Sequence, residues 1–153
     1  MKWKIKSAVF DEEDGVSCVS ISTHLGRFVG VSCLHPDDKD IASEFEGCRY
    51  AELRAVISFY KAEIDILKIK IETLQDVLLN FENMKYYSEN KKEVKCVSTK
   101  LKDLLDRKKN LENDIIAIKK HLNYSMENYR KDHEHFIETI NKNREKKKLV
   151  PED

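Results

Sequence analysis

Residues 53–81 read LRAVISFYKAEIDILKIKIETLQDVLLNF. Leu53, Tyr60, Leu67, Leu74 and Phe81 recur at every seventh residue, and Ile57, Ile64, Ile71 and Leu78 recur between them at the other heptad position. Two interleaved sevenfold repeats put these side chains on one narrow seam, the pattern of a coiled coil rather than of a surface helix. The stretch predicts a first long helix over 48–83, clearest from Tyr50 to Phe81, that must lay its seam against another helix.

The partner lies downstream. Val94, Val97, Leu101, Leu104, Leu111, Ile115, Ile118 and Leu122 form a second seam, with Lys108 at one of its positions, where a polar group sets register or partner number. This predicts a second long helix over 91–145, opening near Lys91. The short connection Asn83 to Asn90 makes the pair an antiparallel coiled-coil hairpin. After Leu122 the second seam position becomes Ser125, Asp132 and Thr139, and only Tyr129, Phe136 and Ile140 continue the stripe. Residues 146–153 are expected to be a frayed tail.

Upstream, Trp3 to Phe10, Val16 to Thr23 and Arg27 to Leu34 are apolar and β-branched, separated by Asp14-Gly15 and Leu25-Gly26. Each glycine supplies the positive φ that a tight hairpin needs, so residues 1–40 are expected to hold a three-stranded antiparallel β-meander. Val9, Val16, Cys18, Val29 and Val31 fall on one face, and Phe10, Val19, Ile21, Phe28 and Leu34 on the other. A small sheet apolar on both faces needs two covers, one from its own helices and one from another subunit or a ligand. A two-residue turn at Leu25-Gly26 would set Cys18 opposite Cys33. Pro36 and the acids of His35 to Asp40 end the strands, Ser43 with Glu46 forms a capping box, and Gly47 is expected to interrupt the chain before the first long helix. The fold class is α+β in a single domain over 1–153.

Composition narrows the function. Lys+Arg and Asp+Glu both number 28 in 153 residues. This balance argues against stable DNA or RNA binding, which calls for a basic excess, and equally against an acidic nucleic-acid mimic. No apolar run has the length of a membrane span, and Met1 to Lys6 is followed by no signal-peptide core, so a cytoplasmic location is expected. Cys18, Cys33, Cys48 and Cys96 form no CxxC and are read as free thiols. No P-loop, HExxH, GxSxG or GxGxxG is present, and no metal or cofactor is expected. His133 and His135 face apart on a helix, and Lys146 to Lys148 is a solvated basic tip.

The chain has six arginines, and three of them, Arg27, Arg49 and Arg54, lie at the sheet edge or at the start of the first helix. A guanidinium fork fits phosphate oxygens in pairs, and a helix N-terminus offers free N–H groups. Surface pairing of Arg49 and Arg54 with Glu46 or Glu52 is the plainer explanation for each taken alone. Tyr86, Tyr87 and Asn90 gather at the helix connection, where aromatics stack on a base and an amide reads its edge; helix-tip packing is the plainer alternative.

The run Gly26-Arg27-Phe28-Val29-Gly30-Val31-Ser32-Cys33-Leu34-His35-Pro36-Asp37-Asp38, followed by Ser43, Gly47 and Tyr50-Ala51-Glu52-Leu53-Arg54-Ala55, resembles small proteins of Firmicutes bacteriophages. It is similar to the first type of Thoeris anti-defence sponge. The resemblance covers about the first third of the chain in pattern and the rest in architecture only. It implies an N-terminal sheet, long helices, assembly as dimers or higher oligomers, and capture of cyclic ADP-ribose isomers made by TIR-domain defence enzymes. Some members of that family also bind cyclic oligonucleotides at a separate site. Three functions are therefore weighed: a nucleotide-signal sponge, a coiled-coil interaction module such as a phage inhibitor of a host protein, and an enzyme.

Overall fold

The computed structural model describes residues 3–33, 44–83 and 91–149. Its elements are β1 (Trp3–Asp11), β2 (Val16–Thr23), β3 (Gly26–Cys33), α1 (Glu44–Asn83) and α2 (Lys91–Leu149). The strands form one antiparallel sheet in the order β1-β2-β3, followed by the two long helices, the α+β architecture that the alternation and the heptads predict.

Each turn is fastened by a side chain. Asp11 Oδ1 accepts the N–H groups of Glu13 at 3.0 Å and Asp14 at 3.3 Å, and Gly15 takes φ 64°. At the second turn Thr23 Oγ1 accepts the Leu25 N–H at 3.1 Å and donates to the Gly26 carbonyl at 2.8 Å. Thr23 therefore pairs with Gly26, and the turn residues are His24 and Leu25. This corrects the expected turn at Leu25-Gly26. Gly26, at φ 113°, opens β3 instead of sitting in the turn. The register moves by two residues, so Cys18 stands opposite Val31 and Cys33 opposite Val16. The two thiols share a face but are not cross-strand partners.

α1 begins at Glu44, so Gly47 lies inside the helix and does not interrupt it. The reason is close approach. A Cβ on Gly47 would overlap Ser17 Oγ on β2, and the bare glycine lets the first turns settle onto the sheet. Glu44 and Glu46 place negative charge at the positive end of the helix dipole. Leu34, the break at His35 to Asp40, and Ser43 of the expected capping box lie outside the described residues.

α1 is the middle layer. One side faces β2 and β3, where Gly30 admits the backbone of Ala51 and Ala55. Phe59, fully buried, stacks on Phe28 with centroids 5.6 Å apart and meets His24 edge-on at 5.5 Å. The other side carries the seam. Ile57, Tyr60, Ile64, Leu67 and Ile71 are buried with Leu104, Leu111, Ile115 and Leu122 of α2 in one continuous core. The helices are antiparallel: Arg54 reaches Met126, while Leu67 and Leu111 line one cavity further along. Lys108 keeps its seam position by turning its ammonium to Glu112 at 3.5 Å.

α2 remains helical to Leu149, beyond the expected start of fraying at 146. With 59 residues against 40 for α1, it spans about 88 Å against about 60 Å at a rise of about 1.5 Å per residue. The side chains of Tyr129, Phe136 and Ile140, expected to continue the stripe, lie outside the described residues. Among the described residues no helix is long and apolar enough to cross a membrane.

Candidate functional site

α1 covers β3 and β2 more fully than β1, because Gly30 draws it to one side of the sheet. At Ile5 and Ala8 the inner face of β1 is left open beside the first three turns of the helix. A cleft of 740 Å³ results, lined by Ile5 and Ala8 of β1, Val19 of β2, and Phe45, Cys48, Arg49 and Leu53 of α1 with Glu44 and Glu52. The helical members recur at i, i+4 and i+8, so one stripe of α1 forms the whole wall. The volume lies within the range of about 300–1,000 Å³ usual for small-molecule sites.

Arg49 is exposed on that wall, and among the described residues no ion pair holds it. Phe45, one turn earlier, is 71% exposed. A planar cation and a planar ring one helical turn apart are the groups that take a phosphate and a base. The floor is apolar. Of the two carboxylates in the cleft, Glu52 is turned to the Trp3 indole N–H at 3.3 Å.

The other two arginines lie elsewhere. Arg54 projects from α1 toward β3, donating from Nη1 to the Val31 carbonyl at 2.8 Å and placing Nη2 3.9 Å from Met126 Sδ. It ties the free edge of the sheet to α2. Its partners are a carbonyl and a thioether rather than the expected Glu46 or Glu52. Arg27 is exposed on the outer face of the sheet, in a row with Ser22 and Lys4. One subunit therefore does not bring Arg27, Arg49 and Arg54 around a single ligand. Tyr86, Tyr87 and Asn90 lie outside the described residues.

A second, smaller cavity of 160 Å³ opens where the β2–β3 turn meets the hairpin, lined by His24, Leu25, Glu63, Ile66, Leu67, Lys70, Arg107 and Leu111. His24 Nε2 lies 3.3 Å from Glu63 Oε1. Among the described residues no ion pair occupies Lys70 or Arg107. Lys70 precedes the seam residue Ile71 and Arg107 precedes Lys108, so antiparallel packing sets two cations at one cavity. That juxtaposition depends on the register between the helices, and reading either helix alone misses it. Phe45 was missed for a simpler reason: it stands upstream of the heptad stretch, and only its i, i+4 spacing to Arg49 marks it.

Among the described residues no group of three or more His, Cys, Asp or Glu side chains is placed to hold a metal. Burial raises the Tyr60 phenol above its ordinary pKa, and Asp114 and then Glu63 push in the same direction. Tyr60 sits in the seam core, so this shift belongs to packing rather than to a reactive site. Comparison of the chain with protein-family models, with curated proteins and with solved structures returns no match.

Proposed function

We propose that this chain is a non-catalytic bacteriophage anti-defence protein that binds and sequesters a cyclic nucleotide signal, a cyclic ADP-ribose isomer or a cyclic oligonucleotide. The observation that carries the reading is the cleft beside α1, with Arg49 and Phe45 one helical turn apart over an apolar floor. The resemblance at Gly26 to Asp38 and Tyr50 to Ala55 supplies the signal class and the setting in the host cytoplasm. Sequestration needs a preorganised pocket, because each side chain immobilised on binding lowers affinity. A helix pinned to a sheet by Gly30 and Gly47 meets that need. The protein works as a homo-oligomer in this reading, and binding requires neither cofactor nor divalent metal.

A second reading, a coiled-coil module that docks on another protein, is favoured by Ile69, Leu79, Leu105 and Ile116, which are exposed on the outside of the hairpin. One experiment separates the two. The protein is incubated with cyclic ADP-ribose isomers and cyclic oligonucleotides, separated from unbound material, and heated. Intact nucleotide recovered in stoichiometric amount supports sequestration. No depletion supports the interaction module, and chemically altered nucleotide or depletion by many equivalents means an enzyme.

A further inference from the structure

We propose that the outer face of the sheet is a homodimer interface, on which a second copy of this chain packs its own outer face about a two-fold axis running across the strands. The strand register sorts that face into four rows: Lys4, Ser22 and Arg27; then Ser7, Ser20 and Val29; then Val9, Cys18 and Val31; then Asp11, Val16 and Cys33. α1 covers the opposite face, and α2 packs on α1, so neither helix covers the outward side chains of these rows, although Arg54 reaches round the free edge to the Val31 carbonyl. Val9, Val29 and Val31 remain 65%, 60% and 42% exposed. A contiguous apolar patch on a sheet face marks a contact surface.

The charges name the occupant. One end of the face carries Lys4 and Arg27. The other carries Asp11 and continues into the exposed acids Glu12, Glu13 and Asp14 of the β1–β2 turn. A surface with cations at one end, anions at the other and valines between is complementary to itself when inverted. Two sheets packed face to face about a two-fold have two simple arrangements. With the axis along the strands, Lys4 would face the partner's Arg27, cation against cation. With the axis across the strands, β1 lies over the partner's β1 in the opposite direction. Lys4 then meets the partner's Asp11, and Val29 meets the partner's Val31. The charge pattern selects this second arrangement.

The contact is small. Eight residues at about 3.3 Å and three strands at about 4.8 Å give a face of about 26 Å by about 14 Å. That is below the roughly 800 Å² per partner of a standard interface, so the dimer is weak and reversible. The cleft that holds Arg49 lies on the other face and stays open, so the dimer stands or falls independently of the ligand reading.

Analytical ultracentrifugation of the full chain over a range of concentrations tests this. The wild type is expected to show a monomer–dimer equilibrium. Val29→Lys and Val31→Lys, at exposed positions that tolerate lysine in the monomer, are each expected to weaken it about tenfold or more with unchanged circular dichroism. Lys4→Glu should weaken it at low salt. Adding Asp11→Asn should recover part of that loss, because asparagine keeps the acceptor for the Glu13 and Asp14 N–H groups and removes only the charge. A monomer at all concentrations, a dimer insensitive to both valine variants, or a further loss on adding Asp11→Asn overturns the proposal. If either lysine variant unfolds, the Lys4 and Asp11 pair decides alone.

Discussion

Gly30 of β3 lies directly beneath Ala51 of α1, so close that a Cβ on the glycine would overlap the Ala51 carbonyl and sit 2.6 Å from the Ala55 nitrogen. Both obstacles are backbone atoms of a helix and cannot rotate aside. Gly30→Ala should therefore cost about 3 kcal/mol, the upper end of overpacking penalties, read as a lowered midpoint in urea unfolding. A loss below about 1 kcal/mol would mean that α1 can slide on the sheet.

Ser17 on β2 is fully buried, and its Oγ has no hydrogen-bond partner among the described residues. A buried hydroxyl without a partner carries its desolvation penalty for no return. Ser17→Ala is expected to stabilise the fold by up to about 1 kcal/mol. Destabilisation in the same urea assay would reveal a hydrogen bond to the hydroxyl.

Ile64 occupies the centre of the α1 seam and is buried against α2. Ile64→Ala should cost about 3 kcal/mol through the cavity it leaves. Ile64→Asp should cost more, about 4 kcal/mol, because a carboxylate at this buried position would be stripped of water among apolar side chains. Equal losses for the two variants would show that the seam admits water at this level.

Replacing Arg49 by Ala should weaken binding of a phosphate-bearing cyclic nucleotide by about 1–3 kcal/mol, the worth of a charge-assisted hydrogen bond. Arg54→Ala should act mainly on stability, since its guanidinium already serves the Val31 carbonyl. Calorimetry with both variants, and with Arg27→Ala and Arg107→Ala, locates the anion. Loss confined to Arg107→Ala would move it to the smaller cavity at the hairpin.

Tyr60 has a phenol whose pKa is raised by burial, with Asp114 and Glu63 adding to the effect. The folded state holds this proton more tightly than the unfolded chain, whose tyrosine titrates near pH 10. The stabilisation is full below that value and is lost as pH rises through the folded pKa. Tyr60→Phe should therefore flatten the alkaline limb of the stability–pH curve. An unchanged slope, or phenolate absorbance appearing at the unperturbed pKa, would contradict the burial of this ring.

Periodicity alone carried the elements. A sevenfold repeat from Leu53 to Phe81 and a second from Val94 to Leu122 allow one packing, because a seam of branched side chains has nowhere else to leave water. Two-residue alternation did the same for the strands, and it sorted Val9, Cys18 and Val31 from Val19, Ile21 and Phe28 onto the correct faces. Local hydrogen bonding then shifted what periodicity could not see. The Thr23 hydroxyl moved the second turn by one residue and separated Cys18 from Cys33. Close approach turned Gly47 from a helix breaker into a contact point, since a missing Cβ has meaning only where another backbone lies within reach. The site was the least legible part. Arg27, Arg49 and Arg54 are near in sequence, but β3 and successive turns of α1 aim them in three directions. Lys70 and Arg107, distant in sequence, share a cavity because the hairpin register brings them together. Which side chains meet across elements is decided by packing in three dimensions, and a one-dimensional pattern holds that information only for the face each residue occupies.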